Sequence, residues 1–229
     1  MKVCIIPARG GSKRIPRKNI KDFCGKPMIA YSIEAAQQSG LFDLIIVSTD
    51  DQEIAEVART YGAKTPFVRP KELSDDHTAT IPVIAHAIKT LDLSYAEAVC
   101  CLYATAPFVR AYDLQAGYKA LIAHDKRYAF PVTSFPFPIF RAVKRDDCGN
   151  VEMFWPEHFG TRSQDLPEAY HDAGQFYWGQ PSAWLEGLPI FAPHSTTITL
   201  PRYRVQDIDT LEDWERAEVM FHAIQSSPS

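Results

Sequence analysis

Short apolar runs alternate with amphipathic segments through the first 134 residues, and this alternation constrains the fold more than any other feature. The runs are four to seven residues long and are bounded by turn residues; they cover residues 2–8, 44–48, 65–68, 98–103 and 129–134. Segments with helical periodicity lie between them, at residues 27–40, 51–61, 78–91 and 112–123. Strands joined by helices of this length form crossover units. The pattern therefore predicts an α/β fold with a mostly parallel sheet flanked by helices.

The alternation ends after residue 134, where prolines and aromatic residues become frequent. Residues 136–160 predict a small antiparallel β-hairpin extension that turns at residues 146–150. Further elements are expected towards the end of the chain: strands at 174–178 and 196–200, a closing amphipathic helix at 209–224 and a frayed tail at 226–229. A chain of 229 residues fits a single domain, residues 1–229.

The overall charge and the cysteines exclude several functional classes. The formal net charge is −4, which does not support general nucleic-acid binding, so no nucleic-acid partner is expected. No apolar stretch is long enough for a membrane span or a signal peptide, so no membrane partner is expected either. The five cysteines are odd in number and include no C-x-x-C pair, which favours reduced thiols and a cytoplasmic location.

The loop directly after the first predicted strand holds five of the 24 basic residues of this acidic chain: Arg9, Lys13, Arg14, Arg17 and Lys18. Loops that follow parallel strands are favoured ligand sites. Gly10 and Gly11 let backbone N–H groups approach phosphate oxygens closely, and the cations neutralise the phosphate charge. The spacing matches neither the P-loop nor the dinucleotide-binding fingerprint. The loop therefore predicts a small, strongly anionic ligand, with a solvated turn as the alternative.

A pair of carboxylates lies near the end of the chain, in the segment Gln206-Asp207-Ile208-Asp209. Residues at i and i+2 of an extended segment point to the same side, where two carboxylates can share a cation. Mg²⁺ favours one or two carboxylates together with substrate phosphates and water. Asp209 also fits a capping box with Glu212 for the last helix, but capping does not explain Asp207. The residues alone therefore leave two interpretations of the pair open, a shared Mg²⁺ site and a helix cap at Asp209.

Four segments, taken in order, resemble the motifs of one protein family. They read I-P-A-R-G-G-S-K-R-I-P-R-K-N at 6–19, V-S-T-D-D-Q-E-I-A at 47–55, V-R-P-K-E-L-S-D-D-H-T-A-T at 68–80 and Q-D-I-D-T-L-E-D at 206–213. This set resembles the CMP-sialic acid synthetase family, which are cytidylyltransferases that activate nonulosonic acids. The resemblance covers nearly the whole chain and implies a nucleotide-binding α/β fold related to the GT-A type.

The resemblance implies that CTP is the co-substrate and that Mg²⁺ is the cofactor. It assigns Arg9, Gly11, Ser12 and Lys18 to the triphosphate, Asn19 and Arg69 to the cytosine, Thr80 to the border of the nucleotide, and Asp207 and Asp209 to the metal. Arg9 and Lys18 are expected to stabilise charge on the α-phosphate. From the residues alone, the preferred interpretation of Asn19 is a turn residue and that of Arg69 is a surface cation.

The resemblance also implies a site for a bulky, polyhydroxylated sugar acid. The segments Y-A-T-A-P-F at 103–108, S-F-P-F-P-I-F at 134–140 and H-D-A-G-Q-F-Y-W at 171–178 differ from the sialic acid branch and are similar to the pseudaminic acid branch. Hydroxyl groups need hydrogen bonds and acyl methyl groups need apolar contact. The residues expected to bind the sugar are Tyr103, Thr105, Arg162, His171, Asp172, Gln175 and Tyr177. Phe176 and Trp178 suit the core of a strand equally well.

The implied reaction converts CTP and pseudaminate into CMP-pseudaminate and pyrophosphate. Arg9, Lys18, Asp207 and Asp209 are its expected catalytic residues. Similar family members are homodimers, so a homodimer that uses residues 136–160 is expected. Three alternatives remain open at this point: a CMP-N-acetylneuraminate or CMP-legionaminate synthetase, a sugar-1-phosphate nucleotidyltransferase, and a nucleotide-binding module without catalysis.

Overall fold

A computed structural model of the chain describes residues 1–123 and 125–226, so most of the predicted tail at 226–229 lies outside the described residues. The strands are β1 (Lys2–Pro7), β2 (Asp22–Phe23), β3 (Lys26–Pro27), β4 (Leu44–Ser48), β5 (Ala98–Leu102), β6 (Tyr128–Ser134), β7 (Val143–Arg145), β8 (Val151–Met153), β9 (Tyr170–Asp172), β10 (Phe176–Gly179) and β11 (Ser195–Thr199). The helices are α1 (Met28–Gln38), α2 (Gln52–Thr60), α3 (Thr80–Thr90), α4 (Ala111–Ala123), α5 (Pro181–Glu186) and α6 (Leu211–Ser226).

The central sheet has the strand order β11-β6-β10-β5-β1-β4, with β9 pairing on β6. The strands β1, β4, β5, β6 and β11 run in one direction, whereas β10 and β9 run antiparallel to their neighbours. The predicted α/β fold with a mostly parallel sheet is therefore confirmed. In the register, Ile5 of β1 lies beside Ile46 of β4 and Cys101 of β5. The loops that follow these three strands consequently meet at one edge of the sheet.

Helices cover both faces of the sheet, as a buried parallel sheet requires. One core layer packs α1, α2 and α4 against the sheet, around Ile33, Ile54 and Leu114. The opposite layer packs α3 and α5, around Ile84 and Trp184. A smaller cluster holds α6 against the β2–β3 hairpin, where the Phe23 and Trp214 rings meet edge to face at 5.4 Å. This cluster brings the end of the chain next to the loop after β1.

The predicted strand at residues 65–68 is wrong. The described structure has only an isolated bridge there, between Lys64 and Ile46. Pro66 and Pro70 flank the apolar pair Phe67-Val68, and neither proline has an N–H group to donate to a strand ladder. The segment instead runs along the surface and carries Arg69 towards the edge of the sheet, where the Arg69 N–H donates to the Thr49 carbonyl at 2.8 Å.

The predicted hairpin within residues 136–160 is confirmed, since β7 and β8 form a separate antiparallel two-stranded sheet. Its turn at residues 146–150 closes with a hydrogen bond from the Asn150 N–H to the Asp146 side chain at 2.8 Å. Both strands are exposed along their length except at Met153, which is half-buried. Among the described residues, no helix is both long and apolar enough to cross a membrane.

Candidate functional site

Two cavities open at the edge of the sheet where β1, β4 and β5 end. The first cavity has a volume of about 470 Å³ and lies between the basic loop after β1 and the segment before α3. The second cavity has a volume of about 920 Å³ and lies between the end of β9, the segment 202–207 and α6. Asp209 lines the first cavity, whereas Asp207 lines the second. The Asp-x-Asp segment therefore lies between the two cavities.

Each of the five cations in the basic loop is paired with a carboxylate of the chain itself. The pairs are Arg9 and Lys13 with Asp76, Arg14 with Asp209 at 3.0 Å, Arg17 with Asp51 at 2.5 Å and with Glu53, and Lys18 with Asp209 at 3.4 Å. Four of these cations line the first cavity, and Arg17 does not. An anion that enters the cavity meets cations whose positions are already fixed by internal partners.

Arg17 anchors the loop rather than facing the cavity. Its backbone has a φ of 56°, which a residue with a side chain adopts only under local constraint. Its guanidinium holds Asp51, which is the N-cap of α2 and accepts from the Ile54 N–H at 3.0 Å. This partner lowers the pKa of Asp51 to about 2. At Gly10 a Cβ would lie 2.6 Å from the Asp51 carboxylate, so the loop can approach α2 only with glycine there.

Asp76 was not predicted from the sequence, yet its carboxylate bridges Arg9 and Lys13. Hydrogen bonds from both cations lower the pKa of Asp76 to about 2. The neighbouring Asp75 orders the same segment, because it accepts from the Thr78 N–H at 2.7 Å and from the Thr78 hydroxyl. The S-D-D-H-T motif contained this signal, but sequence spacing does not reveal which cations its carboxylates meet.

Lys18 and Asn19 are held by backbone carbonyls that lie far apart in the sequence. The Lys18 Nζ donates to the Ile208 carbonyl at 2.7 Å, which ties the basic loop to the Asp-x-Asp segment. The Asn19 amide donates to the Arg9 carbonyl at 2.9 Å, and its side chain is nearly buried at the cavity wall. Both predicted residues line the first cavity, as does Ser12. Gly11 lies between Arg9 and Ser12, and a Cβ built on it meets nothing within 4 Å, so its backbone role stays a prediction.

Arg69 is a buried cation in the wall of the first cavity, with 4% of its surface exposed. Its Nε donates to the Ser74 hydroxyl at 3.2 Å, and its Nη2 lies 3.8 Å from the Asp50 carboxylate without a hydrogen bond. Burial lowers the pKa of Arg69, and the nearby Arg9 lowers it further, while Asp50 opposes the shift. A buried guanidinium with a free N–H favours a ligand that supplies an acceptor oxygen.

The structure removes the capping explanation for Asp209. Helix α6 begins at Leu211, so its N-cap position is Thr210 and not Asp209. The box is formed by Thr210 and Asp213: the Thr210 N–H donates to Asp213 at 2.8 Å, and the Asp213 N–H donates back to the Thr210 hydroxyl at 3.2 Å. The sequence reading with Glu212 is therefore wrong by one residue. Asp209 contributes only its backbone N–H to the cap, which donates to Asp213 at 3.1 Å, and its carboxylate faces Arg14 and Lys18.

Asp207 and Asp209 lie close enough for their charges to interact. Desolvation raises the pKa of Asp207, and repulsion from Asp209 raises it further, while Lys18 lowers it. A divalent cation between the two would relieve this repulsion, which fits the donor set that Mg²⁺ prefers. The described residues contain no group of three or more histidine, cysteine or acidic side chains that could hold a metal. Any ion at this pair would therefore complete its coordination with ligand oxygens and water.

Two tyrosines, the half-buried Tyr103 and the buried Tyr177, pack against each other between the cavities. Tyr103 and Thr80 line the first cavity, and their hydroxyls lie 2.8 Å apart. The Tyr103 and Tyr177 rings meet edge to face at 5.5 Å. The Tyr177 hydroxyl in turn donates to the carboxylate of Asp172, which lines the second cavity. Burial raises the pKa of Tyr103 to about 12 and raises that of Tyr177 as well, so both phenols keep their protons at neutral pH.

The remaining residues that were predicted to contact the sugar do not lie together in one cavity. Thr105 lines the first cavity and His171 the second. Gln175 is buried, with its amide donating to the Arg204 carbonyl at 2.7 Å and its Oε1 without a partner. Arg162 is exposed and pairs with Asp165 at 2.7 Å, and it lines neither cavity. Its role stays a prediction.

Sequence reasoning missed two arginines of the second cavity. On β10 it also left open whether two aromatic residues belong to the core or to the site. Arg202 and Arg216 line the second cavity, one from each side of the Asp-x-Asp segment in sequence. No motif marks them, since α6 was predicted only as a closing helix. Phe176 and Trp178 are fully buried core residues, as their alternative interpretation stated. Gly117 of α4 packs against both rings, where a Cβ would lie 2.7 Å from Phe176.

Comparisons with known proteins agree with this geometry. A family model described as "Cytidylyltransferase" matches residues 3–135. The chain is 52% identical to a pseudaminic acid cytidylyltransferase of Campylobacter jejuni over 96% of its own length and 95% of the relative's. It is 40% identical to a CMP-N,N'-diacetyllegionaminic acid synthase of Legionella pneumophila, over 98% of both chains.

Among solved structures, the fold is similar to that of a CMP:2-keto-3-deoxy-manno-octonic acid synthetase determined with CTP. The TM-score is 0.70 at 18% identity, over 97% of this chain and 99% of the other. At this identity the likeness concerns the fold. The match to the family model covers more than half of the chain, and the Campylobacter relative aligns along nearly all of it. The chain therefore belongs to the cytidylyltransferase family.

Proposed function

We propose that this protein is a pseudaminic acid cytidylyltransferase, which transfers CMP from CTP to pseudaminate and releases pyrophosphate. The observation that carries the proposal is the 52% identity to the Campylobacter relative along nearly the whole of both chains. The lower identity of 40% to the legionaminic acid synthase favours pseudaminate over legionaminate. The two adjoining cavities support it, because the reaction needs one site for each substrate.

The first cavity is the proposed site of CTP. Arg9, Lys13, Arg14 and Lys18 surround a space in which the triphosphate replaces internal carboxylates as their partner. Phosphate oxygens accept more hydrogen bonds than one carboxylate and carry more charge, so the exchange favours the nucleotide. Asn19 and Arg69 lie on the same wall and are the proposed contacts of the cytosine. The free N–H of Arg69 suits a base carbonyl.

The second cavity is the proposed site of the sugar acid. It combines the polar groups of His171, Asp172 and Gln206 with the apolar surface of Ala173 and Met220. This mixture fits a sugar with both hydroxyl and acyl groups. Asp207 lies on its wall and Asp209 on the wall of the CTP cavity. These positions support a reaction at the boundary between the two cavities.

In the proposed reaction, the anomeric C2 hydroxyl oxygen of the sugar acid forms a bond with the α-phosphorus of CTP. The bond between that phosphorus and its bridging oxygen breaks, pyrophosphate leaves, and the hydroxyl proton is released. Asp207 and Asp209 are the proposed holders of Mg²⁺, which when bound neutralises phosphate charge. Arg9 and Lys18 stabilise the charge that develops on the α-phosphate oxygens, and most of the catalysis is positioning.

The assembly and location of the protein follow from other features. Residues 136–160 expose several apolar side chains, namely Phe137, Val143, Val151, Phe154 and Phe159. Such a patch is typical of an interface, so a homodimer that covers this extension is part of the proposal. Replacing Val151 and Phe154 by serine should then shift the protein to a monomer in light scattering. A cytoplasmic location is also proposed, because none of the five cysteines forms a disulfide in the described residues.

The proposed function is tested by measuring pyrophosphate release from purified protein with a panel of substrates. The panel crosses pseudaminate, legionaminate, N-acetylneuraminate and 3-deoxy-manno-octulosonate with the four nucleoside triphosphates, with and without Mg²⁺. Release that is fastest with CTP and pseudaminate in the presence of Mg²⁺ supports the proposal. Faster turnover of another sugar acid contradicts the substrate. CTP binding without pyrophosphate release from any pair contradicts catalysis.

A further inference from the structure

The segment that carries the proposed metal ligand Asp207 is held at both of its ends. On the downstream side, the Ile208 side chain is buried in the cluster that holds α6, and its carbonyl accepts from Lys18 at 2.7 Å. Residues 206–207 form no backbone–backbone hydrogen bond within the part of the chain that the structure describes. The position of Asp207 therefore depends on what fixes the chain on the upstream side, and the residue that does so is Arg204.

Arg204 is a buried cation, with 3% of its surface exposed. Its guanidinium donates to both carboxylate oxygens of Asp113 in α4, from Nη1 at 2.6 Å and from Nη2 at 3.0 Å. Asp113 is itself buried and accepts the Arg110 N–H at 3.0 Å, at the start of α4. A bidentate pair of this kind fixes orientation as well as distance. The pair thus ties the chain before Asp207 to a helix 91 positions earlier in the sequence.

The backbone of Arg204 is held as firmly as its side chain. Its carbonyl accepts from the Gln175 amide at 2.7 Å, and its N–H donates to the Pro201 carbonyl at 2.9 Å. Gln175 is buried directly before β10, and its own carbonyl accepts from the Tyr103 N–H at 2.9 Å. The chain in front of Asp207 is therefore attached to α4 through a side chain and to the central sheet through its backbone.

We propose that Arg204 is a positioning residue, which fixes Asp207 at the distance from Asp209 that lets the two carboxylates share a cation. Asp113 and Gln175 hold Arg204 in place. The inference rests on the proposed function for the identity of the cation and of CTP. Metal ligands depend on the groups that orient them, and loss of such a group commonly weakens metal binding by roughly 10- to 100-fold.

The geometry separates this role from the binding of either substrate. Arg204, Asp113 and Gln175 line neither the first nor the second cavity. Gln175 was predicted to bind the sugar, but in this role it acts through the backbone of Arg204 and touches no ligand. The cations of the basic loop have their own partners, so the binding of CTP without a metal should not depend on Arg204.

The test is the affinity of the protein–CTP complex for Mn²⁺, used in place of Mg²⁺ and followed by electron paramagnetic resonance without sugar. Gln175→Met removes the hydrogen bond to the Arg204 carbonyl at similar side-chain size and should weaken Mn²⁺ binding roughly tenfold. The CTP affinity in EDTA, measured by calorimetry, should stay within twofold of the parent. Arg204→Lys keeps the charge but loses the bidentate geometry, so it should weaken Mn²⁺ binding and spare metal-free CTP binding in the same way.

Gln180→Met is the matched control. Gln180 lies directly after β10, at the other end of the strand that Gln175 precedes, and its amide donates to the Lys126 carbonyl at 3.1 Å. The control loses the same kind of hydrogen bond from the same residue type, but away from the Asp-x-Asp segment. Its affinities for Mn²⁺ and for CTP should both equal those of the parent.

A Mn²⁺ affinity of Gln175→Met within twofold of the parent overturns the inference. Equal losses of Mn²⁺ affinity and of metal-free CTP affinity also overturn it, because they indicate a general distortion of the site. Gln175→Met leaves the buried ion pair intact, so it decides alone if Arg204→Lys fails to fold in a thermal melt.

The same measurements distinguish this inference from the proposed function. A parent complex that binds no Mn²⁺ overturns both the proposed metal site and the role of Arg204. A parent that binds Mn²⁺ more tightly than Gln175→Met, but releases no pyrophosphate with any sugar, overturns the proposed function and supports the role of Arg204.

Discussion

The two cavities are built in opposite ways although they share a wall. Four cations line the first cavity, each held by a carboxylate of the chain, so its charges are set before any ligand arrives. The second cavity has about twice the volume, and neither Arg202 nor Arg216 in its wall forms an ion pair within the described part of the chain. The first cavity is preorganised for its ligand by fixed charges, and the second cavity by its shape. This difference fits a ligand of fixed charge in one cavity and a bulky sugar of variable substituents in the other.

The largest expected effect comes from the boundary between the cavities. Asp209→Asn should lower the rate of pyrophosphate release by about 1,000-fold, because it removes a proposed metal ligand worth several kcal/mol and leaves Arg14 and Lys18 without their partner. The rate is measured against Mg²⁺ concentration. Asp147→Asn in the exposed hairpin turn is the control and should behave as the parent. An Asp209→Asn variant with the parent's Mg²⁺ response would place the metal elsewhere.

Arg9→Ala tests the charged cavity directly. Turnover should fall by about 100-fold, the usual effect of removing one donor that stabilises developing charge. The folded fraction should change little, because Arg9 is half-exposed and its pair with Asp76 lies at the surface. Arg59→Ala, an arginine on the outer face of α2, is the control for both measurements. Turnover retained in Arg9→Ala would remove its catalytic assignment.

Asp51→Asn separates the anchoring of the basic loop from its chemistry. Asparagine keeps the N-cap of α2 but loses the ion pair with Arg17, so stability at pH 7 should fall by about 1–2 kcal/mol. The native pKa of Asp51 is lowered to about 2. Its contribution is therefore complete above the ordinary carboxyl pKa of about 4 and is lost as the pH falls through about 2. Urea unfolding of both proteins at several pH values checks this.

The stability difference between parent and Asp51→Asn should accordingly disappear at the acid end of that range. A difference that stays constant with pH would mean that the variant acts through packing or the cap, and not through the charge of Asp51.

The smallest expected effect concerns the shape of the second cavity. Met220→Ala should raise the KM for the sugar acid about fivefold, because one apolar contact is lost, and leave the KM for CTP unchanged. Val219→Ala is the matched control, since Val219 is exposed on the same helix and lies outside the cavity. Equal changes in both KM values would show that the cavities are not independent at this position.

The fold was largely predictable because its signals are local. Short apolar runs between segments of helical periodicity predicted β1, β4, β5 and β6 almost to the residue. The failure at 65–68 came from the same locality: Phe67 and Val68 are apolar, but their flanking prolines forbid a ladder. Short elements such as β9 and α5 gave no signal, since three and six residues are too few to show a period.

The sequence predicted which residues form the site, but it did not predict which of them contact each other. The basic loop and the Asp-x-Asp pair were found from composition and spacing. The bridge from Asp76 to Arg9 and Lys13 joins residues 67 and 63 positions apart, and the contact between the Tyr103 and Tyr177 rings depends on the sheet order in the same way. The cap at Thr210 shows the same limit on a small scale, because two overlapping boxes compete within four residues and tertiary packing selects one.

The order of the charged residues along the chain has a consequence for biosynthesis. During translation, Arg9, Lys13 and Arg17 acquire their counterions within the first 76 residues, from Asp51 and Asp76. Arg14 and Lys18 have to wait for Asp209, which emerges from the ribosome nearly 200 residues later. A nascent chain thus presents two uncompensated cations until its last helix docks beside the loop. The charge balance of the first cavity is therefore complete only when the segment that carries Asp209 has docked beside the loop.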